Sequence, residues 1–252
     1  MTNVRCEVWA TEMSDDLTPA WVLHSRKYRD TSLIVDLLTG EHGRVSVVAR
    51  GARAKGGRLA ANMQPFRLFL AGWRGKGELK TLTRTDFPAP PLQISGQCLM
   101  IGMYVNELLV RLLVHTHDPL PHIVSGYGRL LSQLAVTDKT NISRDVEPAL
   151  RRFELHLLEQ LGYGVSFGTD GSTGERVLPS EHYRFQTGTG FVVTGEPEGY
   201  SGAALLRIEA DDYDAESARV ARHVTRAAID DLLGGKPLVS REMYRSLMAR
   251  SA

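Results

Sequence analysis

The sequence of 252 residues predicts an α+β protein, with a five-stranded β-barrel at its N-terminal end and an α-helical bundle after it. Short strand-like segments separated by turn residues fill 21–88, without the apolar spacing of a helix. Beyond a proline-rich break at 88–91, apolar residues recur at helical spacing. A Gly-, Thr- and Ser-rich stretch at 164–199 predicts a small β insertion that lacks zinc-binding cysteines. We therefore expect an N-terminal extension at 1–20, a barrel domain at 21–88 and a helical domain at 89–252.

Five predicted strands follow one another closely in the barrel domain. They are Trp21–His24, Ser32–Leu38, Val45–Ala49, Phe66–Trp73 and Leu79–Phe87. So many short strands in so few residues suit the OB-fold, a five-stranded barrel whose first and fourth inter-strand loops border the nucleic-acid groove. Those loops are Lys27–Asp30 and Gly72–Gly77 here, and both are basic. The stretch Gly51–Asn62 is weakly patterned and also basic, and it predicts a third contributing loop.

Helices dominate the remainder of the predicted fold. Apolar residues spaced three and four apart predict helices over 101–112, 123–134, 146–161 and about 215–233. Glycines at Gly162 and Gly234 are expected to end the third and fourth of them. We expect Ser240 to cap a short last helix that reaches Met248.

The charge distribution singles out the barrel. The chain has a formal net charge of +1, yet the segment from Arg44 to Arg84 holds ten basic residues and one acidic residue, Glu78. A segment this positive on strands indicates a polyanion partner, of which nucleic acid is the commonest, although a solvated basic face without a partner is the alternative. The candidate phosphate-binding residues are Arg44, Arg50, Arg53, Lys55, Arg58, Arg74, Lys76, Lys80 and Arg84. Tyr28 and Trp73 lie at the basic loops and are candidates for stacking on bases, with a barrel-core role equally open for Trp73.

An ordered set of short segments resembles the RecO family of bacterial recombination and DNA repair proteins. The segments are Val22–Arg26, Glu41–Arg53, Gln64–Phe66, Gly75–Leu82, Tyr104–Leu109, Leu150–Glu154, Leu161–Gly164 and Gly234–Glu242. The resemblance implies a protein that binds single- and double-stranded DNA, anneals complementary strands and helps load RecA. Its implied partners are RecR and the acidic C-terminal tail of the single-stranded DNA-binding protein. We further expect no enzymatic activity, no cofactor, a monomeric chain, and a place in the bacterial cytoplasm, at the nucleoid during repair.

Four cations lie beside apolar residues in the helical part and are candidates for holding that tail. They are Arg151, Arg152, Lys236 and Arg241. An apolar pocket rimmed by cations would suit an acidic, hydrophobic peptide. In the alternative interpretation, Arg151 and Arg152 pair with Glu154 or Glu147 on the surface.

Enzymatic and metal motifs are weak in this sequence. Cys6 and Cys98 are far apart and form no CxxC pair, which favours a reduced cytosolic protein without a cysteine zinc site. Where many RecO relatives carry four zinc-binding cysteines, the insertion offers Asp170, Glu175 and His182, which lack ligand spacing. Other motifs lack the context that they need, namely the set His115, His117 and Asp118 and the loop Gly234–Pro237. Two alternatives to a DNA mediator stay open, an OB-fold RNA-binding or translation-associated module and, less favoured, a metal-dependent nuclease.

Overall fold

The computed structural model describes residues 17–55, 58–114, 118–138, 141–196 and 198–251. The chain folds into two compact units. The first unit combines 1–139 with 238–252, and the second unit comprises 140–237. The first unit is therefore discontinuous in sequence. This division differs from the domain bounds expected from the sequence, in which all helices share one domain.

Five strands of the described chain form the closed barrel of the first unit. They are β1 (Thr18–Tyr28), β2 (Ser32–Thr39), β3 (Gly43–Ala49), β4 (Leu68–Arg74) and β5 (Leu79–Asp86). Their order is β1-β2-β3-β5-β4, and β1 pairs with β4 to close the barrel. The β3–β5 pair is parallel and the other pairs are antiparallel. This arrangement confirms the predicted five-stranded OB-fold followed by helices.

The described helices and the second sheet follow the barrel in the chain. In the first unit the helices are α1 (Leu59–Asn62), α2 (Gly96–Leu112), α3 (Pro121–Val136) and α7 (Val239–Ser251). The second unit holds a π-helical turn (Ile142–Val146), α4 (Glu147–Gln160), β6 (His182–Gln186), β7 (Gly190–Thr194), β8 (Tyr200–Ser201), α5 (Gly202–Glu209) and α6 (Ala215–Leu232). The strand order of the small sheet is β7-β6-β8. The predicted β insertion is thus present.

Three local predictions were wrong, and one helix was not predicted. The stretch Gly51–Asn62 is not entirely a loop, because its last four residues form α1, and α5 was not predicted at all. Strand β4 begins two residues later than expected, because Phe66 has a φ of +68° and turns its ring onto α2. Ser240 does not cap α7, which already begins at Val239.

Helices α2 and α3 cover the outer surface of β1 and β2. The ring of Tyr127 on α3 meets Trp21 of β1 edge-on, with 5.5 Å between ring centroids. Asn106 of α2 donates from Nδ2 to the carbonyl oxygen of Leu23 at 2.6 Å, and its Oδ1 accepts from the Tyr127 hydroxyl at 2.6 Å. All eight residues of β2 are consequently buried, four facing the barrel interior and four facing outward.

The second unit has its own apolar core. It forms where α4, α5 and α6 pack with the small sheet around Phe167, Tyr183 and Phe191. Asp170 stabilises the turn before this sheet by accepting hydrogen bonds from Ser172 and from the backbone amides of Thr173 and Val193. The hydrogen bond from the Ser172 hydroxyl, together with those from the backbone amides of Ser172, Val193 and Thr173, lowers the pKa of Asp170 to about 2.

Candidate nucleic-acid interface

Strand β3 separates two groups of cations. The seven residues of β3 span roughly 20 Å along the strand. The β3-end cluster, in the connection that follows β3, consists of Arg50, Arg53, Lys55 and Arg58. The tip of the β1–β2 hairpin lies beside this cluster, since the Arg53 amide donates to the Thr31 carbonyl oxygen at 2.8 Å.

The glycine-loop cluster, in and around the β4–β5 hairpin loop, consists of Arg74, Lys76 and Lys80. Strand β5 runs parallel to β3 with Leu79 opposite Ser46, so the loop before Leu79 lies toward the start of β3. The Lys80 ammonium donates to the Gly75 carbonyl oxygen at 3.1 Å and so braces this loop. The two clusters therefore lie at opposite ends of β3.

A β-bulge aims Arg84 outward. Trp73 pairs with Leu82, but the preceding Gly72 pairs with Arg84, which leaves Thr83 as an extra residue in β5. Leu82 packs against the barrel core, and without the bulge Arg84 would point inward as well. The extra residue moves the exposed Arg84 to the outer face of the sheet, the face on which the exposed Arg74 lies.

Arg44 does not join either cluster. Its side chain is only 15% exposed, and Nη2 lies 2.8 Å from Oδ1 of Asp36 on the neighbouring strand. Burial raises the pKa of Asp36, but hydrogen bonds from Ser46 and Arg44 outweigh burial and hold that pKa below its ordinary value. This pairing stabilises the β2–β3 surface, and Arg44 is not available to a phosphate in this arrangement.

The two aromatic candidates differ in their surroundings. Trp73 packs against the barrel core, and its ring meets His42 edge-on at 5.4 Å between centroids. Tyr28 is half-buried next to the β3-end cluster, and the Arg29 guanidinium lies 5.1 Å from its ring centroid. Trp73 therefore has the barrel-core position that the sequence left open as an alternative. Tyr28 is the better placed of the two rings for stacking on a base.

The exposed face of the barrel is formed by β3, β5 and β4. OB-fold barrels commonly use the β2–β3 face for nucleic acid. Here the outward side chains of β2 are buried, whereas outward Ser46 and Val48 of β3 are half-buried and Leu79 at the start of β5 is 43% exposed. A strand of nucleic acid that joins the two cation clusters would cross this face.

The four candidate tail-binding cations do not form one described site. Arg151 is 7% exposed and donates from Nη1 to Glu154 at 2.5 Å and to the Thr225 hydroxyl at 3.0 Å, so it is a structural residue of the second unit. Lys236 also belongs to the second unit, whereas Arg241 belongs to the first.

Arg152 lies at an open groove of the second unit. Its Nε lies 2.6 Å from Oδ1 of Asp211, and its guanidinium lies 5.4 Å from the centroid of the Tyr213 ring. The groove has a volume of about 570 Å³ and an apolar floor that includes Phe167. The acidic residues Glu159 and Asp211 also line this groove.

Arg241 lies on the docked face of α7. Its Nη2 donates to the Tyr104 hydroxyl at 3.2 Å, and the guanidinium lies 5.2 Å from the ring centroid. Val239 and Met243 on the same helix are each 54% exposed. An exposed apolar stripe therefore runs along a helix that also carries a cation.

Glu107 is a structural residue that the sequence analysis missed. Its carboxylate accepts hydrogen bonds from the amides of Val239 and Ser240 at 3.0 and 2.8 Å and from the Ser240 hydroxyl at 2.6 Å. An acidic side chain at a helix N-terminus satisfies amides that lack partners within the helix. Glu107 therefore fixes the start of α7 to α2. A lone carboxylate within the apolar pattern of α2 was the available signal.

Most of the metal motif lies outside the described residues, and the glycine motif forms a helix end. His115 and His117 lie outside the described residues, and across the described ranges no three His, Cys, Asp or Glu side chains could together hold a metal ion. Gly234 and Gly235 have φ values of +59° and +71° and end α6 through a hydrogen bond from the Gly235 amide to the Asp230 carbonyl oxygen.

Within the described ranges, no helix combines the length and apolar character needed to cross a membrane.

The closed β1-β2-β3-β5-β4 barrel places the chain in the class of OB-fold proteins, with exposed cations around its open face. The family model described as recombination protein O N terminal matches residues 13–89, and the model described as recombination protein O C terminal matches 96–242. The chain belongs to the RecO family.

Relatives that match most of the chain share that family name. DNA repair protein RecO of Actinobacillus pleuropneumoniae serotype 5b (strain L20) is 39% identical over 231 residues, which cover 90% of this chain and 94% of the relative. The RecO protein of Erwinia tasmaniensis is 40% identical over 235 residues, covering 92% and 93%. That of Salmonella paratyphi B is 41% identical over 234 residues, covering 92% and 94%.

Proposed function

We propose that this RecO-family DNA repair protein is a non-enzymatic mediator. It binds single- and double-stranded DNA on the exposed barrel face, anneals complementary strands and helps load RecA onto strands coated with single-stranded DNA-binding protein. The observation that carries the proposal is the pair of cation clusters at opposite ends of β3, with an exposed sheet face between them. The activity is expected in the bacterial cytoplasm, at the nucleoid during repair.

The expected binding is electrostatic and tolerant of sequence. Lys and Arg contacts to phosphates release counterions, and each contact on a single strand contributes about −0.7 to the slope of log affinity against log salt. If six of the exposed barrel cations contact phosphates, that slope is about −4. Tyr28 supplies a ring that stacks on any base.

Annealing follows from the same surface. A cationic face offsets the repulsion between two phosphate backbones and leaves base edges unengaged, so complementary strands can test their register. Arg84 and Arg74 extend the positive charge along the outer face between the clusters, which favours contact with more than one strand.

Arg241 is the favoured contact for the acidic tail of the single-stranded DNA-binding protein. The second unit has ten basic and sixteen acidic residues, a net charge of −6, and its Arg152 is paired with Asp211. The first unit has twenty basic and thirteen acidic residues, a net charge of +7. An acidic peptide with apolar side chains is therefore attracted to the first unit, where α7 exposes Val239 and Met243 and carries Arg241 on its docked face. RecR is the second expected partner, and the family resemblance is what supports it.

Annealing of coated strands tests the proposal. Two complementary oligonucleotides are coated with the cognate single-stranded DNA-binding protein, either intact or without its acidic tail, and duplex formation is followed by energy transfer between end labels. Acceleration that requires the tail is expected. Tight binding to bare strands without any acceleration would contradict the mediator role. Efficient displacement of DNA by RNA of equal length would then favour an RNA-binding module.

A further inference from the structure

Arg67 is a buried arginine whose charge lacks a carboxylate partner among the described residues. It is 7% exposed, and its Nε is fully buried without a hydrogen-bond acceptor. Arg44 and Arg151 also have an unpaired Nε, but Asp36 and Glu154 neutralise their guanidinium groups. No ion pair of Arg67 occurs within the described ranges.

The ring of Phe87 is the group on which the Arg67 guanidinium rests. The guanidinium carbon lies 5.2 Å from the ring centroid, and the ring stacks on Phe69 of the barrel core at 5.2 Å between centroids. A cation–π contact is strongest at a desolvated position, but it returns less free energy than the desolvation of the charge costs. The stack therefore orients Arg67 without fully compensating its charge.

The end of the Arg67 guanidinium remains accessible to solvent. Only Nε among its three nitrogens is both fully buried and unpaired. The two terminal nitrogens have no described hydrogen bond, so they retain contact with solvent. A guanidinium held over a ring, with no described hydrogen bond at its two terminal nitrogens, can present its planar fork to an oxyanion.

The place of Arg67 in the barrel indicates the source of the anion. Strand β5 is parallel to β3, so Phe87, directly after β5, lies toward the end of the barrel where β3 ends. The β3-end cluster of Arg50, Arg53, Lys55 and Arg58 begins at that end. An anion attracted to that end by the exposed cations would meet Arg67, a cation that is already oriented and partly desolvated.

We propose that Arg67 is an oxyanion-binding residue that takes a backbone phosphate of the bound nucleic acid at the end of the barrel next to the β3-end cluster. This assignment rests on the proposed DNA binding and goes beyond it, because it assigns a phosphate contact to a buried side chain outside the exposed cations. A desolvated contact is stronger than one made by a solvated cation, since water competes less for the phosphate.

Two substitutions test this assignment. Arg67→Met removes the charge and keeps apolar volume over Phe87, and Arg67→Lys keeps the charge but loses the planar fork. Arg176→Met, at a side chain of the second unit that is 79% exposed, is the matched control. Thermal unfolding is measured in inorganic phosphate and in chloride at equal ionic strength, and binding of a labelled oligo-dT strand is measured across a salt series.

The expected results separate a ligand role from a structural one. Phosphate raises the melting temperature of the unmodified protein and of Arg176→Met, but not of Arg67→Met. Without phosphate, Arg67→Met melts at the same temperature as the unmodified protein or higher, because replacing a buried unpaired charge by an apolar side chain removes a desolvation cost. Its affinity for oligo-dT falls roughly 10- to 100-fold, its salt slope shrinks by about 0.7, and Arg67→Lys is intermediate.

Three results would overturn the assignment. An equal phosphate shift in Arg67→Met shows that the anion binds elsewhere. A lower melting temperature of Arg67→Met in chloride, with unchanged phosphate and DNA responses, makes Arg67 purely structural. A phosphate shift lost in Arg67→Met with unchanged oligo-dT binding rejects the nucleic-acid source. The phosphate measurement needs no DNA, so failure of the proposed function is distinguishable from failure of this assignment.

Discussion

Replacing Asn106 should destabilise the first unit more than its size suggests. Asn106 is 3% exposed and joins the barrel to two helices through one hydrogen bond to the Leu23 carbonyl oxygen and one from the Tyr127 hydroxyl. Asn106→Ala removes the Asn106 partner from both of these buried groups. Each unsatisfied buried group costs about 1–3 kcal/mol, so we expect a loss of about 3–5 kcal/mol once the small cavity is included.

A double-mutant cycle with Tyr127→Phe isolates the shared hydrogen bond. Alone, Tyr127→Phe leaves the Asn106 amide oxygen without its donor and should cost about 1–2 kcal/mol. In the Asn106→Ala background the hydroxyl has already lost this acceptor, so its removal should cost less than in the unmodified protein. The expected coupling energy is about 1–2 kcal/mol.

Urea unfolding followed by tryptophan fluorescence is a suitable assay. The sequence has no tryptophan between 140 and 237, so the fluorescence signal does not come from the second unit. Asn62→Ala is the control, because the Asn62 amide makes an exposed hydrogen bond, and its cost should stay below about 0.5 kcal/mol. Additive effects of Asn106→Ala and Tyr127→Phe, or a loss below about 1 kcal/mol for Asn106→Ala, would refute the reasoning.

Three further predictions concern DNA binding and acid stability. Combined alanine substitution of Arg53, Lys55 and Arg58 should weaken binding and reduce the single-strand salt slope by about 2, measured by fluorescence anisotropy. Glu107→Gln should weaken the docking of α7 by about 1–2 kcal/mol near neutral pH, measured by urea unfolding. Burial raises the pKa of Glu107, but hydrogen bonds from Ser240 and Val239 outweigh burial and lower it, so the contribution is present above pH 4.5 and disappears as pH falls through the lowered value. Asp170, with a pKa of about 2 against an ordinary 3.8, should stabilise its turn above pH 3.8 and stop doing so toward pH 2, and Asp170→Asn should remove this pH dependence in thermal melts followed by circular dichroism.

Each of these predictions has a contrary outcome. Alanine at Arg144 and Arg176, whose side chains are 87% and 79% exposed in the second unit, should leave the salt slope unchanged, and a slope equally unaffected by the β3-end variant would remove that cluster from the interface. A Glu107→Gln difference that does not shrink as the pH is lowered across the acid range in which the protein stays folded would show that its charge is not what holds α7. A pH dependence that survives in Asp170→Asn would assign the acid transition to another carboxylate.

The barrel was predictable because apolar residues recur at every second position of a half-buried strand, and this two-residue period is visible within each strand's own sequence. Strand β3 shows it clearly, with Val45, Val47 and Ala49 directed inward. Helix α1 was missed because four residues carry no helical periodicity. Helix α5 was missed although Ser201 caps it, its hydroxyl accepting from the Ala204 amide, because it follows directly on the glycine-rich insertion.

The exposure of individual cations was not predictable in the same way. Arg44 and Arg50 look alike in the sequence, but strand register places Asp36 beside Arg44 and leaves Arg50 exposed. The outward direction of Arg84 depends on a bulge, and a one-residue shift in pairing reverses the face of every later side chain. The exposure and direction of these side chains depend on contacts between strands, and the residue pattern of one strand does not show those contacts.

The discontinuity of the first unit has a consequence for synthesis on the ribosome. Chains emerge from their N-terminal end, and compact regions fold as they become complete. The second unit is complete once Pro237 has emerged, whereas the first unit still awaits α7 and its anchorage to Glu107. The order of completion is thus the reverse of the order in which the two units begin. A nascent chain interrupted before Leu238 would hold a finished second unit and an α2 surface without its partner helix, a species that chaperones and proteases can recognise.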